Sequence, residues 1–324
     1  MYNKPKAQVS MAIAKRTTAQ PDDRLPGRFP IRTVANLTGV NPVTLRAWER
    51  RYQLLRPERT AKGHRLYSQQ DVERIRKVLD LLDRGIAISQ VTSLLEESAQ
   101  ELRATIPAGA DDIWTDYQSR MRTAISRFDE AAVDFIYNDA MSLYPVDLVT
   151  NRLTTPLLRS YGEHWKQRAI AVAEEHFFSV YLRNKLGSRI HHLNQRSSGP
   201  LLLLACLPGE YHELGLLFFA LAAVNRGYRL LILGANMPLE QLPAVIEQRR
   251  CDAIVLSGSA RLAPVVTDVS LPALVKAVNI PVFVGGAAAE RHDQAIRSTG
   301  ALCAGKDIQP ALQNIGETLA AAHR

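Results

Sequence analysis

The feature that most constrains the fold is a regular alternation of short apolar runs with longer helix-like stretches in the C-terminal part of the chain. The apolar runs are 201–206, 229–233, 253–256, 282–284 and, more weakly, 301–304. The helical stretches between and after them are 214–225, 239–249, 271–278, 291–298 and 310–321. Strands that alternate with helices predict a parallel sheet covered by helices on both faces. We therefore predict a Rossmann-like, doubly wound parallel sheet over residues 199–324, whose ligands would bind at the carboxyl ends of the strands.

Two short helices joined by a tight turn are predicted near the N-terminus. Apolar periodicity predicts the first over residues 31–37, and Gly39 is placed to end it. Asn41 is a good N-cap and Pro42 suits the first helical position, so the second helix is predicted over residues 42–52. Two helices separated by a turn that contains glycine indicate a helix-turn-helix.

The segment after this pair of helices predicts a wing. Residues 56–67 are polar and interrupted by glycine, which is typical of a β-hairpin. Further helices are predicted over 69–82 and 88–97. Together these elements predict a winged helix-turn-helix domain over residues 28–98, preceded by a disordered tail over residues 1–27 that lacks any periodicity.

A helical region is predicted between the two ends of the chain. Helical periodicity runs over residues 113–192 and is interrupted near Phe128, at Pro145 and around 162–168. Three interruptions leave four helices, which predicts a four-helix bundle over residues 110–193. The whole chain is therefore expected to be multidomain, with α+β and α/β parts.

The excess positive charge of the chain lies entirely in its N-terminal third. Residues 1–107 contain 19 Lys and Arg and 11 Asp and Glu, whereas the remainder contains 21 of each, so the first segment accounts for the net charge of +8. This asymmetry favours a polyanionic partner for that segment. Arginine side chains on a helix can reach phosphates and guanine edges in the major groove. We predict DNA contacts from Thr44, Arg46, Arg50 and Arg51 in the second helix and from Arg59, Lys62, His64, Arg65 and Tyr67 in the wing.

The same residues carry a family resemblance. The string VTLRAWERRY at residues 43–52, followed by Pro57, Gly63, Arg65 and the pair Leu66-Tyr67, resembles the winged helix-turn-helix of the MerR family. The alternative from residue patterns alone is a helical protein-interaction module. The resemblance implies binding to pseudo-palindromic, double-stranded promoter DNA by a dimer, so self-association is expected. The metal-sensing cysteines usual after the MerR DNA-binding domain are absent from this chain.

A second set of residues indicates a metal. Glu210, His212 and Gly215 form E-x-H-x-x-G directly after the first predicted strand of the sheet. Imidazole is a good cobalt ligand, and a carboxylate two residues away is suited to accept the hydrogen bond from its other nitrogen. Glycine would let the following helix approach a large ligand closely. A nucleotide-binding G-x-G-x-x-G is missing at this position.

This motif, with Ser257 and Ser259 after the third strand and Gly285-Gly286 after the fourth, resembles the cobalamin-binding signature. The resemblance implies that His212 ligates cobalt from below and that the serines and glycines line a channel for the dimethylbenzimidazole tail. The chain departs from the commoner pattern twice, with Glu210 in place of Asp and Ser259 in place of Leu.

A third set lies in the predicted bundle. Trp165 is followed ten residues later by Glu175-His176, and these side chains on a helical cap could stack on and hydrogen-bond an adenosyl group. The arrangement resembles the W-x9-E-H signature of CarH/LitR-type photoreceptor repressors, which use adenosylcobalamin. Core packing is the alternative for Trp165. Some relatives have a histidine after the tryptophan, but here the residue is Lys166, which leaves open whether a second histidine captures cobalt after photolysis.

Together, these features favour an adenosylcobalamin-dependent, light-responsive transcriptional regulator, most simply a repressor, that binds promoter DNA in the dark as a homodimer or homotetramer. The alternatives are a MerR-like regulator of another ligand or of cobalamin level without light, and a cobalamin carrier subunit of a methyltransferase or mutase. We expect no enzymatic activity. The three separated cysteines, and the lack of a signal peptide or of an apolar run of about 18 residues, predict a cytoplasmic protein without a membrane partner.

Overall fold

The computed structural model describes residues 27–96, 112–164, 170–259 and 261–322. Most of the predicted tail, the whole of the linker predicted over residues 98–110, and Trp165 with Lys166 lie outside these residues. The N-terminal unit contains β1 (Arg28–Pro30), α1 (Ile31–Thr38), α2 (Pro42–Tyr52), β2 (Glu58–Arg59), β3 (Arg65–Ser68), α3 (Gln69–Asp83) and α4 (Ile88–Glu96). These elements form the predicted winged helix-turn-helix.

The turn between α1 and α2 has the two features expected from its sequence. Gly39 adopts the left-handed conformation, with φ of 74°, and its N–H bonds to the Ala35 carbonyl, which ends α1. The Asn41 side chain then accepts from the backbone N–H groups of Val43 and Thr44, at 2.9 and 3.0 Å. The turn therefore ends one helix and caps the next within three residues.

The wing is part of a three-stranded sheet with the order β1-β3-β2. Its first strand, Arg28–Pro30, was absent from the prediction, since three residues that end in proline carry no alternating pattern. Phe29 pairs with Tyr67 in the antiparallel register of this sheet. The segment that enters the domain is thereby fixed to the wing.

The middle unit is the predicted four-helix bundle, and its third helix contains a wide turn. The elements are α5 (Asp112–Ser126), α6 (Glu130–Leu143), α7 (Val146–Val149), a π-helical turn (Thr150–Thr154), α8 (Thr155–His164) and α9 (Ala171–Asn194). Inside the π-helical turn the Thr150 and Thr154 hydroxyls donate to carbonyls four residues earlier. Hydroxyl groups thus satisfy part of the backbone that the wide turn leaves without regular partners.

The C-terminal unit is a parallel sheet between layers of helices. Its elements are β4 (Leu201–Cys206), α10 (Leu214–Asn225), β5 (Arg229–Gly234), α11 (Leu242–Gln248), β6 (Ala253–Ser257), α12 (Leu271–Ala277), β7 (Val282–Gly285), α13 (Ala287–Arg291), α14 (Asp293–Ser298), β8 (Leu302–Gly305) and α15 (Ile308–Ala322). All four neighbouring pairs are parallel, in the order β5-β4-β6-β7-β8.

The predicted helices of this unit differ from the observed ones in detail. The helix expected over 239–249 divides into a 3₁₀ turn (Leu239–Gln241) and α11. A π-helical turn (Val266–Ser270) precedes α12. The stretch expected over 291–298 is the end of α13 followed by α14. Such short irregular turns leave the apolar pattern unchanged, so the pattern alone does not reveal them.

The strand order places the ligand-binding edge of the sheet. The order in which strands are added reverses between β4 and β6, because β5 lies on the outer side of β4 whereas the later strands extend from β6 in the other direction. In doubly wound sheets the crevice at such a point is where ligands bind. The loop after β4 carries His212, and the loop after β6 carries Ser259.

The three units share one apolar core. A single buried cluster runs from the winged domain through the bundle to α10 and α15, while a second lies on the opposite face of the sheet. One buried hydrogen bond also joins the first two units, from Trp48 Nε1 in α2 to the Leu143 carbonyl at 2.8 Å. Within the described ranges, no helix is both long and apolar enough to cross a membrane.

Candidate functional site

A cavity of about 1000 Å³ lies between the bundle and the carboxyl edge of the sheet. Ligand pockets in proteins commonly measure about 300–1,000 Å³, so this one suits a large ligand. The bundle contributes the π-helical turn, α8 and α9, and the sheet contributes the loops after β4, β6, β7 and β8. Predicted cofactor-binding residues on its wall are Glu175, His176, His212, Gly215, Ser257, Ser259, Gly285 and Gly286.

His212 extends into this cavity from the loop between β4 and α10. Its Nδ1 lies 2.7 Å from Glu210 Oε1, which also accepts from the His212 backbone N–H at 2.8 Å. The imidazole is 82% exposed, whereas the Glu210 side chain is only 3% exposed. With Nδ1 donating to the carboxylate, Nε2 presents its lone pair to the cavity. The predicted contact between the two residues is therefore present.

The second carboxylate oxygen of Glu210 is also occupied. Glu210 Oε2 accepts from the backbone N–H of Ser259 at 2.5 Å and from its hydroxyl at 2.7 Å. Arg291 Nη1 donates to the Ser259 carbonyl at 2.7 Å. The family resemblance implies a channel-lining role for Ser259. In the structure this residue lines the cavity and also donates to the carboxylate that accepts from His212. Glu210 is longer than the commoner Asp, and Ser259 replaces the commoner Leu. These two departures from the family pattern therefore lie in one hydrogen-bonded network.

Glycines keep the sheet side of the cavity open. A Cβ at Gly215 would have Ser257 Oγ, at 3.9 Å, as its nearest described neighbour, so any side chain there would project into the cavity. Gly286 has φ of 86°, and a Cβ on it would lie 2.4 Å from the Gly258 carbonyl oxygen. The loops after β6 and β7 therefore approach too closely for any other residue at 286.

Glu175 and His176 form part of the bundle wall opposite the sheet. His176 Nδ1 lies 2.8 Å from the Val172 carbonyl, and Glu175 Oε1 accepts from the Ser179 hydroxyl at 2.6 Å. Both side chains line the cavity across from the His212 loop. Trp165, the third residue of the predicted cap, lies outside the described residues.

Several polar side chains on the cavity wall were not identified from the sequence. They include Asn151 in the π-helical turn, Arg159 in α8, Arg183 in α9 and Lys306 after β8. No motif distinguished them from ordinary surface residues. The spacing of Arg183 from His176, two helical turns on the same face, was the only available signal.

The donor set fits a metal that brings most of its own ligands. Among the described residues no three His, Cys, Asp or Glu side chains cluster as a metal site. His212 instead offers a single nitrogen in a large cavity. A corrin ring carries its own nitrogen ligands for cobalt, so a site in which His212 would add one further nitrogen fits a cobalt corrinoid.

The winged domain presents a basic face, with two corrections to the predicted contacts. Thr44 and Tyr67 are fully buried. The Thr44 hydroxyl accepts from the Asn41 side chain as part of the helix cap. Tyr67 lies in the core, where burial raises its pKa to about 12. In this conformation neither side chain can reach DNA.

The remaining predicted contacts lie at the surface. Arg46, Arg50, Arg51, Arg59, Lys62 and His64 are exposed, and Arg65 is partly exposed. Arg65 Nε bonds to Glu49 Oε2 at 2.5 Å, and Arg59 Nη2 bonds to Glu49 Oε1 at 3.2 Å. These ion pairs connect the wing to α2, so Arg65 helps to position the basic face.

Comparison with known proteins finds family matches in three parts of the chain. Residues 29–98 match the MerR HTH family regulatory protein, and residues 117–189 and 200–312 match two B12 binding domain families. A corrinoid protein for monomethylamine from Methanosarcina barkeri aligns with 63% of this chain and 99% of its own, at 16% identity and a TM-score of 0.48.

Two regulators of Myxococcus xanthus match most of the chain. The HTH-type transcriptional repressor CarH is 33% identical over 276 residues, which cover 82% of this chain and 90% of CarH. The repressor CarA is 32% identical over 84% of this chain and 91% of its own length. The chain belongs to the family of MerR-type transcriptional regulators with B12-binding domains.

Proposed function

We propose that this protein is an adenosylcobalamin-dependent, light-responsive transcriptional repressor that binds promoter DNA in the dark. One observation carries the proposal: the cavity is bounded below by His212, whose Nε2 is available, and above by Glu175 and His176 of the bundle. A cobalt corrinoid between them would receive an axial nitrogen on one face. Its other face would meet polar groups suited to an adenosyl ligand.

The residues of the site would hold the cofactor in defined ways. His212 would bind cobalt, Glu210 and Ser259 would fix the imidazole, and Gly285 with Gly286 would leave room for the nucleotide tail. Glu175, His176 and Trp165 would contact the adenosyl group. Adenosylcobalamin would supply a cobalt–carbon bond that is sensitive to light, and Glu175 and His176 would be the residues that respond to loss of the adenosyl group.

A path from the cavity to the DNA-binding unit runs along one helix. Thr150 and Asn151 of the π-helical turn line the cavity. The next residue, Arg152, donates from Nη2 to the Asp83 carbonyl at the end of α3. A shift of this helix on loss of the adenosyl group would therefore move a residue that contacts the winged domain. The coupling needs to be only a few kcal/mol if two assemblies are close in free energy.

Repression would depend on several copies acting together. MerR-type regulators bind paired half-sites, so a homodimer or homotetramer would contact DNA through more than one winged domain. Loss of the assembly in light would reduce the apparent affinity steeply, because each remaining domain binds alone. Such a regulator would act in the cytoplasm, where its promoter lies.

The test is reconstitution of the full chain with adenosylcobalamin in darkness. Size-exclusion chromatography and promoter binding are then measured before and after illumination, with methylcobalamin and the cofactor-free protein as controls. We expect a bound corrin spectrum, a larger assembly in darkness and at least about tenfold weaker DNA binding after light. Identical elution and DNA affinity in dark and light would refute light control and leave sensing of cobalamin level. Absence of a bound corrin spectrum would refute the cofactor assignment.

A further inference from the structure

One face of α9 forms a continuous strip along the cavity. Val172, His176, Val180 and Arg183 recur at helical spacing and line the same wall. His176 stands opposite the His212 loop, and Arg183 lies two turns further along the helix. The strip therefore ends at a charged side chain beside the sheet domain.

At this end the bundle and the His212 loop are joined directly. Arg183 Nε lies 2.5 Å from Glu213 Oε1, and the Glu213 side chain is 22% exposed. Glu213 follows His212 and is the N-cap residue of α10, yet its side chain makes no capping hydrogen bond to that helix. The carboxylate pairs with Arg183 instead. By contrast, Lys185 pairs with Asp134, so that ion pair stays within the bundle.

The two glutamates on either side of His212 thus anchor it to different units. Glu210 is bound by Ser259, in the loop after β6 of the sheet domain. Glu213 is bound by Arg183, in the bundle. A segment of four residues, 210–213, therefore fixes the histidine against both walls of the cavity.

We propose that the Arg183–Glu213 ion pair is the latch that sets the separation between the bundle and His212, and so positions a corrinoid between them. This inference rests on the proposed cobalamin function. Arg183 and Glu213 are positioning residues, because they act through the His212 loop and through the helix that carries His176. Without the pair the two walls of the cavity are free to separate at this end.

The test combines two neutral variants with a charge exchange in the full chain. Arg183→Met and Glu213→Gln are compared with the double variant R183E/E213R, and Lys185→Met is the matched control on the same helix. Adenosylcobalamin affinity and the cobalt absorption spectrum are measured in darkness. In the cofactor-free protein, hydrogen exchange is measured at the backbone amides of His212 and Leu217.

We expect each single variant to weaken cobalamin binding about two- to fivefold, the range for an exposed ion pair. The spectrum should show a larger fraction of cobalamin without a histidine ligand. The backbone amides of His212 and Leu217 should exchange faster with solvent. The charge exchange should restore all three properties, and Lys185→Met should leave them unchanged. Single variants that match the parent, or an exchanged pair no better than either single variant, would overturn the latch.

Failure of the latch can be distinguished from failure of the proposed function. If the parent protein binds no cobalamin, that function is wrong, and the exchange rates of the cofactor-free variants still decide whether the pair joins the bundle to the loop. If the parent binds cobalamin and the variants are indistinguishable from it by every measurement, only the latch is wrong.

Discussion

At the scale of single residues, the site depends on a buried carboxylate that has two occupied oxygens. Glu210 accepts from His212 through one oxygen and from Ser259 through the other. Glu210 therefore keeps the proton on His212 Nδ1 and fixes the orientation of the imidazole ring. Groups in this position around a metal-bound histidine raise its basicity, and their loss commonly costs about 10- to 100-fold in metal affinity.

We predict that Glu210→Gln weakens cobalamin binding by about tenfold or more, because the amide carries no charge and must place an N–H toward one of the two groups. Titration with adenosylcobalamin in the dark would measure the loss. Ser259→Ala keeps the backbone N–H bond to Glu210, so its effect should be several-fold smaller. An equal or larger loss for Ser259→Ala would contradict the prediction, because it would mean that the Ser259 hydroxyl contributes at least as much to cobalamin binding as the charge of Glu210.

The basic face contains an exposed arginine and an ion-paired one, and the two can be compared. Arg46 is exposed on α2, whereas the Arg65 side chain is only 15% exposed and is bound to Glu49. An exposed arginine that contacts a phosphate releases a counterion, and a paired one contributes less to that release.

We predict that Arg46→Ala weakens promoter binding and reduces the slope of log affinity against log salt by about 1. Arg65→Ala should instead lower the stability of the wing and leave the slope closer to that of the parent. Fluorescence anisotropy with labelled promoter DNA at a series of salt concentrations would measure both. A full unit of slope lost from Arg65→Ala would mean that Arg65 leaves Glu49 when DNA binds.

At the scale of elements, the sequence predicted what depends on a continuous apolar pattern. The buried strand Leu201–Cys206 and the capped helix Pro42–Tyr52 have the predicted bounds, because a long apolar run and an N-cap signal are both local. The strand Arg28–Pro30 was missed because it is held by its partner β3 and not by its own pattern.

For the site residues too, the sequence predicted local contacts but not those that depend on the fold. The spacing of Glu210 and His212 was enough to predict their contact, since two residues in one loop define it. The role of Ser259 required the fold, which brings the loop after β6 to Glu210. Thr44 in the second helix and Tyr67 in the wing were predicted to contact DNA. Helix capping and strand register instead place both side chains in the interior.

The turn between α1 and α2 gives a prediction at this scale. Gly39 has φ of +74°, and a Cβ on it would lie 2.9 Å from Gln309 Nε2 of the sheet domain. We predict that Gly39→Ala lowers the free energy of unfolding by about 1–2 kcal/mol, since alanine is strained in this conformation. Gln309→Ala is made alone and combined with Gly39→Ala, because Gln309 also bonds Arg226 and its loss has a cost of its own. Measured against Gln309→Ala, the double variant should recover only the part due to crowding. Thermal denaturation of the three variants measures both parts, and complete recovery would show that backbone strain is negligible at Gly39.

At the scale of the whole molecule, the three units meet at a partly buried polar junction. Asp147 of the bundle is hydrogen-bonded by the Gln309 side chain, and Arg226 of α10 donates to Gln309 Oε1. Gln309 also lies against Gly39 of the winged domain. One Asp147 oxygen and the Arg226 Nε are buried and make no hydrogen bond among the described residues. The junction therefore joins the units through charges that are only partly compensated.

Burial raises the pKa of Asp147 above its usual value, and its own backbone, Gln309 and Arg226 only partly offset this. The folded state therefore binds the Asp147 proton more tightly than the unfolded chain does. The stabilising effect of that proton is complete below the unfolded pKa of 3.8 and is lost as pH rises through the raised folded pKa. At neutral pH the ionised carboxylate consequently opposes the closed arrangement of the three units.

We predict that Asp147→Asn, which keeps the shape of the side chain without its charge, raises the free energy of unfolding by about 1 kcal/mol at neutral pH. The difference from the parent should shrink as the pH falls into the range where Asp147 is protonated. Urea denaturation of both proteins at several pH values measures this trend, with Asp129→Asn on the bundle surface as a control for charge removal. Destabilisation at neutral pH would contradict the prediction, because it would mean that Arg226 depends on the Asp147 charge. In that case attraction across the junction, and not the loss of hydration, would decide how firmly the DNA-binding and cobalamin-binding units are held together.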